Sequence, residues 1–224
     1  NIDHAVDIYQ YRSALWQKFM VESYGDSSII RLIWEDYGNQ YATGNTVSLF
    51  PIYNNAIKQV TNSETELSNA YQDYAVWRYF TGNRNISGQH FLESQTYCTA
   101  STSDVNENAI IFPSEKGAAR FLQLESDSEN IQLNSSFLSI IQVQHVTESG
   151  IISNIELTNN NSYIHLNNIN NEPHALILTS KYTENPSQEI ALYVSLYDLQ
   201  GDLNGDGTID VLDVIILVNL ILFG

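Results

Sequence analysis

The sequence predicts an α+β multidomain chain: an N-terminal antiparallel α-helical bundle, then an antiparallel β-sandwich, then a C-terminal loop that runs into one helix. Three observations carry that prediction. Apolar residues recur at helical spacing over the first hundred residues. The hydrophobic period shortens to two from about Ala109, and the last two dozen residues join a carboxylate-rich loop to an apolar run. The boundaries that follow are 1–100, 108–199 and 201–224, with the small polar stretch 99–108 as the link between the first two parts.

The helical part is expected to hold four short helices. Tyr11, Leu15, Trp16, Phe19, Met20 and Tyr24 form the first stripe, and Gly25 can close it in a left-handed conformation. A second helix starts at Asp26 or Ser27, carries Ile29, Ile30, Ile33, Trp34 and Tyr37, and is expected to stop at Gly38. Pro51 suits the first turn of a third helix running towards Val60. Ser63 and Glu66 have the spacing of a capping box for a fourth, lined by Leu67, Ala70, Tyr71, Tyr74, Ala75 and Trp77 as far as Gly82. Trp16, Trp34 and Trp77 all fall within apolar stripes, so core packing is expected of them rather than an exposed sugar platform. His90 and Glu93 stand three apart, as on one helix face, which is more often a surface contact than a metal site.

Six to eight strands follow from alternating runs such as Ala119 to Leu124, Ile140 to Val146, Ile151 to Leu157, Ser162 to Leu166, Ala175 to Tyr182 and Glu189 to Tyr197. Asn159 to Asn161 and Asn167 to Asn171 are expected at loop tips between them. Short antiparallel strands at this density indicate a sandwich. His145, His165 and His174 fall on or beside different strands with no shared spacing, so they do not read as a ligand set.

The tail is the most specific stretch. Read as a twelve-residue loop, it puts Asp202, Asn204, Asp206, Asp210 and Asp213 at positions 1, 3, 5, 9 and 12, with Thr208 offering its carbonyl at position 7. Gly207 sits at position 6, where the chain turns sharply, and Ile209 at position 8 supplies the apolar contact beside the loop. Four carboxylates this close repel one another unless a divalent cation lies between them, so the expected cofactor is Ca²⁺. The segment ahead of the loop, Ile190 to Leu199, reads as a strand and leaves no room for the entering helix of an EF-hand.

Composition narrows the possible partners. The chain of 224 residues has 9 basic against 26 acidic residues, a net charge of −17, so no basic stripe exists to displace phosphate counterions and nucleic-acid binding is excluded. The apolar tail is too short to span a bilayer. Cys98, the single cysteine, cannot form an intrachain disulfide; it is either a free thiol or a buried small apolar residue, and the second is the favoured expectation. Asn1 to His4 lack the basic and apolar regions of a signal peptide, so the chain is expected to be a processed protein or the back half of a longer one.

The loop and single following helix resemble the repeat unit of dockerin modules. That resemblance implies a secreted protein, extracellular or at the cell surface, whose C-terminal helix docks on a cohesin-like or other cell-surface protein. Dockerins usually carry two repeats, whereas one is present here, and Val211 and Leu212 stand where many dockerins have small polar recognition residues. The helical half offers a second resemblance. Tyr11 to Phe19, Tyr24-Gly25, Ile29 to Glu35 and Tyr74 to Gly82 are similar to the C-terminal half of a family of secreted bacterial metalloproteases. In that family the zinc-binding His-Glu-x-x-His helix comes earlier, and this chain has no such motif. A nucleophile elbow, a Walker loop and a dinucleotide-binding turn are absent too, so no catalytic residue is assigned. The favoured expectation is the non-catalytic C-terminal portion of a metalloprotease-like protein with an attachment tail. The alternative is an accessory part of a polysaccharide-degrading enzyme with a sugar-binding β-sandwich, since dockerin tails accompany many such enzymes.

Overall fold

The computed structural model describes residues 14–44, 46–105, 110–112, 118–126, 130–135, 138–157, 161–166, 172–181, 190–196, 201 and 209–223. They form a mixed α/β chain with five helices and two sheets. The chain divides into two compact units, one of Asn1–Ser101 with Glu115–Phe121 and Thr179–Pro186, the other of Thr102–Ser114, Leu122–Leu178 and Ser187–Gly224.

In the helical unit, α1 covers 14–24 and ends at Gly25, whose φ of +64° is the left-handed closure its position calls for. The Asp26 carboxylate then accepts the Ser28 backbone N–H at 2.8 Å and starts α2, Ser28–Ala42. This helix does not stop at Gly38, because a glycine with helical φ weakens a helix without ending it. α3 spans Leu49–Val60 and α4 spans Leu67–Tyr79. No Ser63–Glu66 capping box forms: Ser63 is left-handed at φ +68°, the Leu67 N–H goes instead to Asn54 Oδ1 at 2.9 Å, and Glu66 pairs with Lys58 at 2.8 Å.

Phe19, Met20, Ile29, Ile33, Ile52, Ile57, Leu67, Ala70 and Phe91 make the helical core, and Trp16 sits inside it among Phe19, Tyr53, Tyr71 and Tyr74. Trp34 departs from expectation, with 56% of its surface exposed. α2 carries two adjacent apolar stripes about 100° apart; the one containing Ile29 and Ile33 is fully buried, while in the other Ile30 and Tyr37 pack partly on the core and Trp34 and Tyr41 are exposed. Beyond α4 the segment 81–84 is tied to 97–100. Thr81 Oγ1 donates to the Cys98 carbonyl at 2.9 Å, the Asn83 N–H donates to Thr99 Oγ1 at 2.9 Å, and the Arg84 guanidinium donates to the Ala100 carbonyl while lying over the Tyr79 ring. The thiol of Cys98 is exposed rather than buried, because its backbone, and not its side chain, makes the contact with Thr81.

Most strand residues belong to the second unit, while 119–121 of the third strand and 179–180 of the eighth belong to the first. β1 (Ser103–Asp104), β3 (Ala119–Leu124), β5 (Ile141–Thr147), β6 (Ile152–Ile155) and β8 (His174–Ser180) form one sheet in the order β1-β3-β8-β5-β6. The other, of β2 (Ile110–Phe112), β4 (Asn130–Asn134), β7 (Asn161–His165) and β9 (Ile190–Leu196), has the order β2-β9-β4-β7. The first sheet is mixed, not wholly antiparallel, because β1 pairs parallel with β3. β8, at its centre, is buried at every position, as expected of a strand covered on both faces. In the second sheet, alternation points Ile131 and Leu133 of β4 inward, and they join Leu122, Leu124, Val143, Ile164, Leu176, Leu178 and Val194 in one buried cluster fed by both sheets. Of the loop tips expected at Asn159 to Asn161 and Asn167 to Asn171, 159–160 and 167–171 lie outside the described residues, and Asn161 instead opens β7, where it pairs with Asn134.

Candidate functional site

The C-terminal helix α5, Val211–Phe223, begins with a reciprocal cap. Asp210 precedes it, and its Oδ1 accepts the Leu212 N–H at 2.7 Å. Asp213, three residues on, reaches back so that its Oδ2 accepts the Asp210 N–H at 2.8 Å. Two backbone donors that the first turn leaves without intrahelical partners are satisfied, which is the logic of a capping box with aspartate in both places. These are positions 9 and 12 of the predicted loop. Gly201, just ahead of position 1, has φ +111°, and a Cβ on it would lie 3.7 Å from Ile209 Cδ1, so the two ends of the loop approach each other. Asp202, Asn204, Asp206 and Thr208 lie outside the described residues. Among the described residues no group of three or more His, Cys, Asp or Glu side chains converges as a metal site.

The donor chemistry of the closing segment fits a hard cation. Asp213 is only 2% exposed, which places a carboxylate under the loop end instead of in water. One of its oxygens is oriented by the Asp210 N–H, and this fixes the carboxyl plane. A cation would be held by Asp202, Asn204, Asp206, Asp210 and Asp213 through side-chain oxygens and by Thr208 through its carbonyl. The cap accounts for one hydrogen bond accepted by each of Asp210 and Asp213, whatever the loop binds.

The rest of α5 inverts the usual pattern of a helix in water. Its carboxylate is buried, while Val211, Leu212, Val214, Ile215, Leu217, Val218, Ile221 and Leu222 are exposed, Ile221 to 72%. From those exposures the uncovered apolar area is on the order of 800 Å², above the largest patch usual on a monomer and comparable to one side of a standard protein interface. Among the described residues no helix is long and apolar enough to cross a membrane.

Two other polar clusters lie away from the tail. His145 and His174, which are 29 residues apart, meet in the interior where β5 and β8 are neighbours, with His145 Nε2 2.9 Å from His174 Nδ1. His174 Nε2 lies 2.6 Å from the Glu125 carbonyl, which can only accept, so that nitrogen carries the proton. In a neutral ring Nδ1 of His174 is then an acceptor, and His145 must donate from Nε2. Burial, reinforced by the neighbouring His174, pushes the His145 pKa down to about 4. Sequence spacing gave no sign of this contact, because strand adjacency is a property of topology. His90 and Glu93 share no helix face: residues 87–93 form turns, His90 is left-handed at φ +59° and stacks on Phe80, and Glu93 turns to Lys18 at 3.0 Å. Nothing gathers a ligand set around that histidine among the described residues.

No protein-family model, no curated protein and no solved structure matches this chain.

Proposed function

We propose that this chain is a secreted, extracellular or cell-surface protein that binds calcium through a dockerin-like tail, and that it is the non-catalytic C-terminal portion of a metalloprotease-like protein. In this reading residues 1–100 form the helical domain, 108–199 a β-sandwich whose two sheets enclose the shared apolar cluster, and 201–224 the calcium-binding repeat. The tail attaches the protein to a cohesin-like or cell-surface partner through α5.

The observation that carries the reading is the inverted polarity of α5, a helix whose one carboxylate, Asp213, is buried while its aliphatic side chains face outward. An apolar helix of this kind is stable in water only when another surface covers it. Calcium supplies the switch, because the loop carboxylates repel in its absence and the cap of α5 is built from two of them.

Far-UV circular dichroism and light scattering during a calcium titration test this, comparing the wild type with Asp206→Ala. Calcium should raise the helix content of the wild type and change its scattering, and the substitution should move both transitions to higher calcium. Equal helix content and scattering in both proteins at every calcium concentration would overturn the proposal.

A further inference from the structure

The exposed stripe of α2 is unaccounted for by the fold. Trp34 is 56% exposed and Tyr41 67%, and both lean on Tyr37, which is half-buried against the helical core. The Trp34 and Tyr37 rings meet edge to face with centroids 5.9 Å apart, and Tyr37 and Tyr41 lie within 9° of parallel at 6.2 Å. The three rings are therefore held by one another and by the core before anything binds. From Trp34 to Tyr41 is seven residues, or about 10.5 Å along the helix.

Gly38 lies between those rings on the same side of the helix. Its φ is not left-handed, and a Cβ built on it would meet nothing within 4 Å. Neither backbone conformation nor packing within the chain calls for glycine there, although a mid-helix glycine costs about 1 kcal/mol relative to alanine. The missing side chain leaves that side of the helix open, with no ring atom of Trp34 or Tyr41 within 4 Å of where a Cβ would stand.

We infer that Trp34, Tyr37 and Tyr41, with the open position at Gly38, form a binding platform for a neutral glycan chain. The axial C–H bonds of a pyranose carry slight positive charge and pack on the negative face of an aromatic ring. A span of about 10.5 Å fits two successive sugar units of an extended chain. The Arg31–Glu35 ion pair, 3.1 Å across and exposed on the next turn, offers donors and acceptors to sugar hydroxyls, as do the two tyrosine hydroxyls. Scale argues against a protein partner, since the exposed rings offer on the order of 300 Å², well short of the roughly 800 Å² per side of a stable interface. Charge argues against an acidic ligand, because a chain at −17 repels anionic glycans and anionic membranes alike. The site lies in the helical unit and stands or falls independently of the calcium loop.

Affinity electrophoresis of the full chain in gels containing β-1,4-glucan, β-1,4-xylan or β-1,4-mannan tests the inference, with sedimentation velocity run alongside. At least one of these neutral polysaccharides should retard the wild type. Trp34→Ala and Tyr41→Ala should each weaken retention about tenfold, equivalent to about 1.4 kcal/mol, with the thermal midpoint kept. Gly38→Ala should weaken retention while making the helix more stable. Asp206→Ala, which disables only the loop, should be retarded like the wild type. Absence of retardation by all three polysaccharides, or retention unchanged in Trp34→Ala, overturns the proposal. So does a wild-type dimer that Trp34→Ala converts to monomer without any glycan binding, which would assign the stripe to self-association.

Discussion

Substituting three glycines by alanine, one at a time, should give effects that differ in size and sign, all readable from the local geometry. Gly82 has φ +61°, and a Cβ on it would lie 2.3 Å from Thr99 Oγ1, 2.8 Å from the Thr99 nitrogen and 2.9 Å from the Tyr97 carbonyl oxygen. The last two are backbone atoms, so no rotamer change relieves them. A left-handed alanine costs about 1–2 kcal/mol, and overpacking against fixed atoms adds about 1–3 kcal/mol, so Gly82→Ala should lose about 3 kcal/mol. Gly25 has φ +64° with nothing within 4 Å of a Cβ, so only the conformational part applies and Gly25→Ala should lose about 1 kcal/mol. Gly38 has neither problem, and Gly38→Ala should gain about 0.5–1 kcal/mol. All three tryptophans lie in the helical unit, so their fluorescence during urea unfolding reports that unit. With a slope of about 2 kcal/mol/M, Gly82→Ala should lower the midpoint by about 1.5 M. Equal losses at Gly82 and Gly25, or a loss at Gly38, would refute the reasoning.

Further outcomes follow from the same packing. Trp16→Ala should cost about 3–5 kcal/mol by emptying the centre of the aromatic cluster, whereas Trp34→Ala, made at an exposed ring, should change stability by no more than about 0.5 kcal/mol in the same urea assay. For His145 the folded pKa of about 4 lies below the ordinary value of 6.5. The unfolded chain therefore binds the extra proton first, so the contribution is fully present above pH 6.5 and is lost as pH falls towards 4, by at most about 3 kcal/mol. His145→Gln keeps an N–H donor towards His174 but cannot take up that proton, so its profile between pH 6.5 and 4 should be flatter and the wild type should lose stability relative to it as pH falls. A parallel fall in both would remove the histidine from the account. Asp213→Asn should lower the helix content of α5 even without calcium, since it weakens a cap worth about 1 kcal/mol, and faster amide exchange at Asp210, whose N–H the Asp213 carboxylate accepts, would show it.

Helices with a single buried stripe were legible from the sequence, as α1 shows, with Gly25 marking its end. α2 was less so, because Ile30, Trp34, Tyr37 and Tyr41 repeat at helical spacing just as Ile29 and Ile33 do, and periodicity does not say which of two adjacent stripes meets α3. β3 was found at its observed bounds through clean alternation. β1, β2 and β4 were missed: Ser103-Asp104 carries no apolar residue, Ile110–Phe112 is three residues long, and Asn130–Asn134 offers only Ile131 and Leu133 to a period of two. At the candidate site, the spacing of Asp210 and Asp213 announced a loop end, and the reciprocal cap they form was implicit in the same three-residue interval. The His145–His174 contact was out of reach, since it depends on β8 lying beside β5 across 29 residues of chain.

Calcium binding by the tail is tested most directly by flow dialysis of the full chain with radioactive calcium, comparing the wild type with Asp206→Ala. Asp206 is position 5 of the predicted loop, four residues ahead of Asp210 in the sequence, so Asp206→Ala removes a proposed ligand and keeps both carboxylates of the Asp210–Asp213 cap. With an aspartate at position 12, shorter than the usual glutamate, the wild type should bind one Ca²⁺ with a Kd of about 10⁻⁴ to 10⁻³ M, and Asp206→Ala should bind at least about tenfold more weakly. Equal calcium uptake by the two proteins, or none by the wild type at about 10 mM, would contradict the account.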